Sequence, residues 1–122
     1  MLEVMFGTLV LMISLLAAFT SQLLSLNLVR QARDANTAMS ELTAAIEEVT
    51  TPNIDFIPTN FPAGAPVAKY EERVLRDERV VVNYPNFAGG SVPSPLQVVV
   101  TINWTAWNGR AATLSLATLK AR

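Results

Sequence analysis

One segment of this sequence limits the possible folds more than any other: from Val4 to Val29 there is no Lys, Arg, Asp or Glu. Most of its side chains are Leu, Val, Met, Ile, Ala or Phe. A helix over this segment is about 39 Å long, which is enough to cross a hydrocarbon layer of roughly 30 Å with some tilt. The only charged side chain before it is Glu3. That acid is unusual, because membrane anchors more often carry Lys or Arg beside the apolar segment.

The composition argues against several kinds of chemistry. The 122 residues include no Cys and no His, which removes disulfides, thiolate nucleophiles, the commonest general base and the commonest metal ligand. The sequence also has no glycine-rich phosphate loop. We therefore expect a protein that is not an enzyme, with no cofactor and no metal site. The net charge of −1 gives no reason to expect a specific nucleic-acid partner.

The residues after about Leu26 continue the helical pattern in a different form. Apolar residues recur at alternating intervals of four and three, which places them on one narrow helix face: Leu28, Ala32, Ala35, Met39, Leu42, Ile46 and Val49. No Pro occurs before Pro52. The sequence therefore predicts one helix from about residue 2 to about residue 50, roughly 75 Å long. A 90-residue domain cannot bury its apolar first half, which must lie in lipid, against copies of itself, or in each at different times.

The remaining residues predict a loop followed by antiparallel strands. Four prolines between Thr50 and Pro66 argue against regular structure there, and the apolar residues among them are expected to hold this loop against the domain. Strands are predicted within 73–84, over 96–107 and over 110–119. The Asn108-Gly109 pair between the last two is the one preferred for a two-residue type I′ turn. The predicted fold class is α+β, a long N-terminal helix packed on a small antiparallel β-meander.

The predicted organisation has two parts. Residues 1–27 form the apolar half of the helix, and residues 28–122 form a globular domain. That domain consists of an amphipathic helix over 28–50, a proline-rich loop over 51–67 and an antiparallel sheet over 68–122. The alternating charges at 71–79 are expected to form a solvated, mutually paired face. Of Trp104 and Trp107, which fall on opposite faces, we expect one in the core and the other at an interface.

The N-terminal residues resemble the start of a mature type IV pilin or pseudopilin. The resemblance is carried by Leu2-Glu3-Val4-Met5 and the following Phe6-Gly7-Thr8-Leu9-Val10-Leu11-Met12-Ile13. The last two predicted strands look like the ends of some small minor pilins and pseudopilins. Two features depart from the family pattern. Only Met1 and Leu2 precede Glu3, so the chain is a mature or shortened form or is processed differently. Phe19-Thr20-Ser21-Gln22 stands where many major pilins have a proline, which favours a continuous helix.

The resemblance implies a structural subunit of a type IV pilus-like extracellular filament. In such a filament Glu3 would pair with the amino terminus of a neighbouring subunit, here Met1. The implied helix packing in the filament core involves Phe6, Leu9, Ile13, Leu16, Phe19 and Leu23. The implied partners are copies of the chain, the membrane before assembly, and a prepilin peptidase, an ATPase and a platform protein. The chain would begin in the inner membrane and end in a cell-surface filament, and the resemblance does not separate adhesion from motility.

Two other functions fit the same residues. One is a minor pseudopilin of a type II secretion system. The other, from a different class, is a single-span membrane protein whose small β-domain binds a partner outside the membrane, with Glu3 in the headgroup region. In that case Glu3→Ala should leave membrane insertion and partner binding intact, whereas in a filament the same change should reduce or abolish assembly.

Overall fold

The computed structural model describes all 122 residues, Met1–Arg122, and confirms the predicted α+β fold class. Three strands form one antiparallel sheet in the order β1-β2-β3, and the long N-terminal helix α1 packs against it. The elements are helix α1 (Leu2–Thr50), helix α2 (Ile57–Asn60) and strands β1 (Arg79–Asn83), β2 (Leu96–Thr105) and β3 (Ala111–Lys120), with two short 3-10 turns at Ile54–Phe56 and Ala68–Tyr70.

Helix α1 is continuous over 49 residues, as the lack of internal proline predicts. It ends at Thr50, two residues before Pro52, because a proline ring disfavours helical geometry in the residue before it. The chain divides into two units, Met1–Arg33 and Asp34–Arg122. Each is described below by itself.

The core of the second unit lies between the last part of α1 and one face of the sheet. The central strand β2 alternates between buried and half-buried residues along its whole length, which is the period-two pattern predicted from its sequence. Its buried residues are Leu96, Val98, Val100, Ile102 and Trp104. Helix α1 contributes Ala38, Leu42, Ala45, Ile46 and Val49 to the same cluster.

The helix face that meets the sheet differs from the predicted stripe in its first half. Four predicted packing residues are exposed instead of buried: Leu28, Ala32, Ala35 and Met39. Leu42, Ile46 and Val49 lie in the core, together with the unpredicted and fully buried Ala38 and Ala45. Successive helical residues are about 100° apart, so placing Ala38 toward the sheet turns its neighbour Met39 toward solvent. Small alanine side chains are weak hydrophobic signals in a sequence, although they let a helix approach a sheet closely.

The proline-rich segment contains more regular structure than predicted. A 3-10 turn at Ile54–Phe56 leads directly into α2, whose first turn contains Pro58. Proline is tolerated at the start of a helix, because the N–H that it lacks would have no helical partner there. Ile54 and Ile57 are buried, so they hold this segment against the domain as expected, whereas Phe56 is exposed.

The hairpin between β2 and β3 has a different turn from the one predicted. The Ala106 N–H donates to Arg110 O at 2.8 Å, and the Gly109 N–H donates to Ala106 O at 2.9 Å. Of the two residues Asn108 and Gly109, only Gly109 has a positive φ, of 78°, whereas a type I′ turn needs a positive φ at both. The connection is therefore a three-residue loop, a type I turn followed by a left-handed glycine, and not a two-residue type I′ turn.

Candidate functional site: the apolar half of helix α1

The first unit, Met1–Arg33, presents apolar side chains on every face. Its large apolar residues from Leu2 to Val29 have exposed fractions between 51% and 80%. Those predicted to pack in a filament core are all in this exposed set: Phe6, Leu9, Ile13, Leu16, Phe19 and Leu23. By length and composition alone, α1 is one helix that can cross a membrane. The unit is therefore an uncovered apolar surface, suited to lipid or to other apolar helices.

Three hydroxyl side chains within this apolar stretch form hydrogen bonds to their own helix. The hydroxyls of Thr8, Ser14 and Thr20 donate to carbonyl oxygens three or four residues earlier, at 2.9, 2.8 and 2.9 Å respectively. A hydroxyl that is satisfied in this way needs no water, so it is tolerated in an apolar environment. These bonds form without interrupting the helix.

Glu3 lies in the first turn of α1. A carboxylate in this position interacts favourably with the positive end of the helix dipole. The Met1 carbonyl accepts the Met5 N–H at 3.2 Å, so the helix ladder begins at the first residue. No ion pair within the chain involves Glu3.

In the second unit, two carboxylates on α1 anchor the segment that precedes the sheet. Glu48 accepts hydrogen bonds from Lys69 Nζ at 2.9 Å and from Tyr70 Oη at 2.8 Å. The Lys69 hydrogen bond, followed by that of Tyr70, holds the pKa of Glu48 below its usual value. Burial, with a further effect from Glu48, raises the pKa of Tyr70 to about 12. Glu41 forms an ion pair with Arg73 at 3.3 Å.

Glu78 departs most from the prediction of a solvated charged face. Its side chain is only 2% exposed. One carboxylate oxygen, Oε2, accepts the backbone N–H groups of Val74 and Leu75, both at 2.9 Å. The other, Oε1, is buried without a hydrogen-bond partner. Glu78 thus closes the loop that leads into β1. The sequence gives no local sign of this role, because its neighbours Asp77 and Arg79 are also charged.

The acidic residues of this loop do not form a metal centre. A cleft beside the loop is lined by Ala68, Glu71, Glu72, Asp77, Glu78 and Arg79. No three or more His, Cys, Asp or Glu side chains lie close enough together to hold a metal ion. The cleft therefore offers no candidate cation site.

The two tryptophans differ in burial. Trp104, on β2, is 7% exposed and belongs to the core, and its indole Nε1 has no hydrogen-bond partner. Trp107, in the hairpin loop, is 47% exposed. The core position expected for one of them is therefore that of Trp104.

The fold and the apolar helix together define an α+β protein with one helix able to cross a membrane. Comparisons with protein-family models, with characterised proteins and with solved structures find no match to this chain. A long apolar N-terminal helix on a small antiparallel sheet is compatible with a pilin-like fold and with membrane anchoring.

Proposed function

We propose that this chain is a structural subunit of a type IV pilus-like filament, held together by the apolar half of α1. The observation that carries the proposal is the pairing of a continuous exposed apolar surface with a single acid at its tip. The large apolar side chains from Leu2 to Val29 are all more than half exposed, and Glu3 lies in the first turn before them. An ordinary membrane anchor also needs the apolar surface, but it more often carries Lys or Arg than an acid beside it.

In a bundle of such helices, Glu3 would have a partner of opposite charge. A carboxylate in an apolar environment costs several kcal/mol unless it is neutralised or paired. If the α-amino group of Met1 from a neighbouring copy reaches Glu3, the pair offsets that cost. Because the two groups lie two residues apart on each chain, this pairing also fixes the axial offset between neighbouring helices.

Apolar burial alone would not drive filament formation from a membrane. In water, at ~25 cal/mol per Å², burying this surface would release tens of kcal/mol per subunit, but lipid already supplies an apolar environment. Extraction into a filament therefore needs an external motor. The partners proposed are an assembly ATPase, a platform protein and a processing peptidase. The proposed route runs from the inner membrane to the cell surface.

The test is Glu3→Ala, with Glu47→Ala as the matched control. Glu47 is an exposed carboxylate on the same helix, so its removal changes the net charge equally without touching the apolar half. We expect Glu3→Ala to reduce surface filaments strongly while the chain stays in the membrane fraction, and Glu47→Ala to leave both unchanged. Electron microscopy and mass spectrometry of sheared surface material provide the measurement.

Three outcomes would count against the proposal. Normal filaments in Glu3→Ala would refute the role of the acid. A chain found only in the membrane, with no filaments in any variant, would favour a single-span partner-binding protein. Filaments in which this chain is a trace component would favour a minor pilin or a minor pseudopilin of a type II secretion system over a main filament subunit.

A further inference from the structure

The three-stranded sheet has one free edge. The outer edge of β1 is covered by the segment before it, where the Gly64 N–H donates to Val82 O at 3.0 Å and the Val67 N–H donates to Val80 O at 2.9 Å. Strand β2 is central. Strand β3 is paired only with β2, in a ladder of ten residue pairs. Any strand that extends this sheet must therefore add to β3.

The groups available on that edge follow from the hairpin. Because the Ala106 N–H donates to Arg110 O, and hydrogen-bonded and non-hydrogen-bonded pairs alternate along an antiparallel ladder, the even-numbered residues of β3 bond to β2. The odd-numbered residues direct their N–H and C=O groups away from the sheet: Ala111, Thr113, Ser115, Ala117 and Leu119. No backbone hydrogen bond within the chain engages this row.

This edge lacks the devices that normally prevent strand addition. Exposed edges are usually protected by charged side chains, prolines, bulges or short length. From Ala111 to Leu119 there is no charge and no proline, and the register with β2 runs without a bulge. The core is also incomplete here, because Leu114 and Leu116 are only partly buried although their partners Ile102 and Val100 are fully buried. An added strand would cover them.

The charges at the two ends of β3 decide between possible occupants. A second copy could pair only through its own β3, the one free edge, in an antiparallel two-fold arrangement. The register that uses the whole strand places Ala111 opposite Leu119 and therefore Arg110 opposite Lys120, at both ends of the interface. Like charges directly opposite each other destabilise a strand pair. The same two cations would instead attract a segment with carboxylates at its ends.

We propose that the β3 edge binds an extended segment of a different protein by strand addition. The segment is uncharged over the length of β3, alternates small polar with apolar residues, and carries acidic residues at both ends, opposite Arg110 and Lys120. Its backbone completes the outward row of N–H and C=O groups. Its apolar side chains cover Leu114 and Leu116. This proposal does not depend on filament formation.

The test uses the full chain in lipid nanodiscs and two synthetic peptides. The probe has two glutamates at each end of an alternating Thr-Val centre matched in length to β3, and the control peptide carries lysines instead. We expect the glutamate peptide to bind at least about tenfold more tightly than the lysine peptide, equivalent to ~1.4 kcal/mol. Its binding should slow backbone hydrogen exchange at Thr113, Ser115 and Ala117.

Variants of the edge separate strand addition from other binding. Ala117→Pro removes one outward N–H without removing a bond to β2 and should abolish binding, whereas Ala117→Ser keeps that N–H and should bind normally. Should Ala117→Pro fail to fold, a glutamate peptide N-methylated at every residue of its Thr-Val centre provides the same test on the native chain. Neither edge of that peptide can donate a backbone hydrogen bond from its centre, and it should not bind. Lys120→Glu should weaken the preference for the glutamate peptide.

Three results would overturn the proposal. The first is equal binding of the two peptides, or no binding of either. The second is undiminished binding of the N-methylated peptide. The third is a concentration-dependent dimer of the chain that Ala117→Pro dissociates, because a second copy would then be the occupant despite the opposed cations.

Discussion

The buried carboxylate of Glu78 provides the sharpest test of how the loop before β1 is held. Its Oε2 accepts two backbone N–H groups, from Val74 and Leu75, both at 2.9 Å. The loop around it has unusual backbone geometry, with φ values of 47° at Glu72 and 53° at Asp77. Non-glycine residues rarely adopt such values, so the surrounding contacts must maintain them.

The expected cost of removing the carboxylate follows from these two bonds. A hydrogen bond to a charged group contributes about 1.5–3 kcal/mol, so Glu78→Ala forfeits roughly 3–6 kcal/mol before any relaxation. Val74 is 59% exposed, which lets water replace part of the loss, and we expect about 3 kcal/mol. Glu78→Gln keeps the size and one acceptor oxygen but loses the charge, and should cost about 1–2 kcal/mol.

Urea unfolding of the full chain in detergent, followed by the near-ultraviolet signal of the two tryptophans, measures both variants. Glu71→Ala is the matched control, because Glu71 is exposed in the same loop and its removal should stay within about 0.5 kcal/mol of the native chain. For a domain of 60–100 residues, a loss of 3 kcal/mol corresponds to a Tm lowered by roughly 12–24 °C. If Glu78→Ala is no more destabilising than Glu71→Ala, the carboxylate does not hold the loop.

Leu42→Ala should destabilise the second unit by about 3–4 kcal/mol, since Leu42 is fully buried. Leu28→Ala, at a 65% exposed position, should stay within about 0.5 kcal/mol of the native chain. Comparable urea midpoints for the two variants would refute the assignment of Leu42, and not Leu28, to the helix face that packs in the core. On the alkaline side, burial raises the pKa values of Tyr84 and Tyr70 to about 12. Their contribution to the free energy of unfolding is therefore fully present below pH 10.0, the pKa of an unfolded tyrosine, and is lost as the pH rises toward 12. Tyr84→Phe should flatten that decline in the free energy of unfolding, and an unchanged decline would contradict the assignment. On the acid side, the lowered pKa of Glu48 stabilises the folded state above pH 4.5, and this stabilisation is lost as the pH falls further. Glu48→Gln should remove this pH-dependent part of the free energy of unfolding.

Much of the fold could be predicted because its signals are local. The lack of proline before Pro52 indicated the length of α1. Strict alternation along β2 indicated which of its side chains are buried. The turn after β2 was placed correctly at Asn108-Gly109, but its type was wrong, because the length of the loop depends on where the ladder stops and not on the two residues alone.

The candidate functional sites were also predictable only where their signals are local in the sequence. The apolar half of α1 and the position of Glu3 are properties of the sequence, and the structure adds that the hydroxyls of Thr8, Ser14 and Thr20 are satisfied by their own helix. The free edge of β3 was not predicted, because it depends on which strand lies at the end of the sheet and on the segment that covers β1.

The sequence by itself determined the main elements and their order: a long helix with an apolar first half, and strands with one apolar face. Those properties depend on residues a few positions apart along the chain, which periodicity records. Only the tertiary structure decided which helix face meets the sheet, with Ala38 and Ala45 in the contact and Met39 outside it. It also buried Glu78 among otherwise exposed charges. Both outcomes depend on the close approach of separate elements and on backbone N–H groups that a fold brings together. Neither produces a periodic pattern of residues in the sequence.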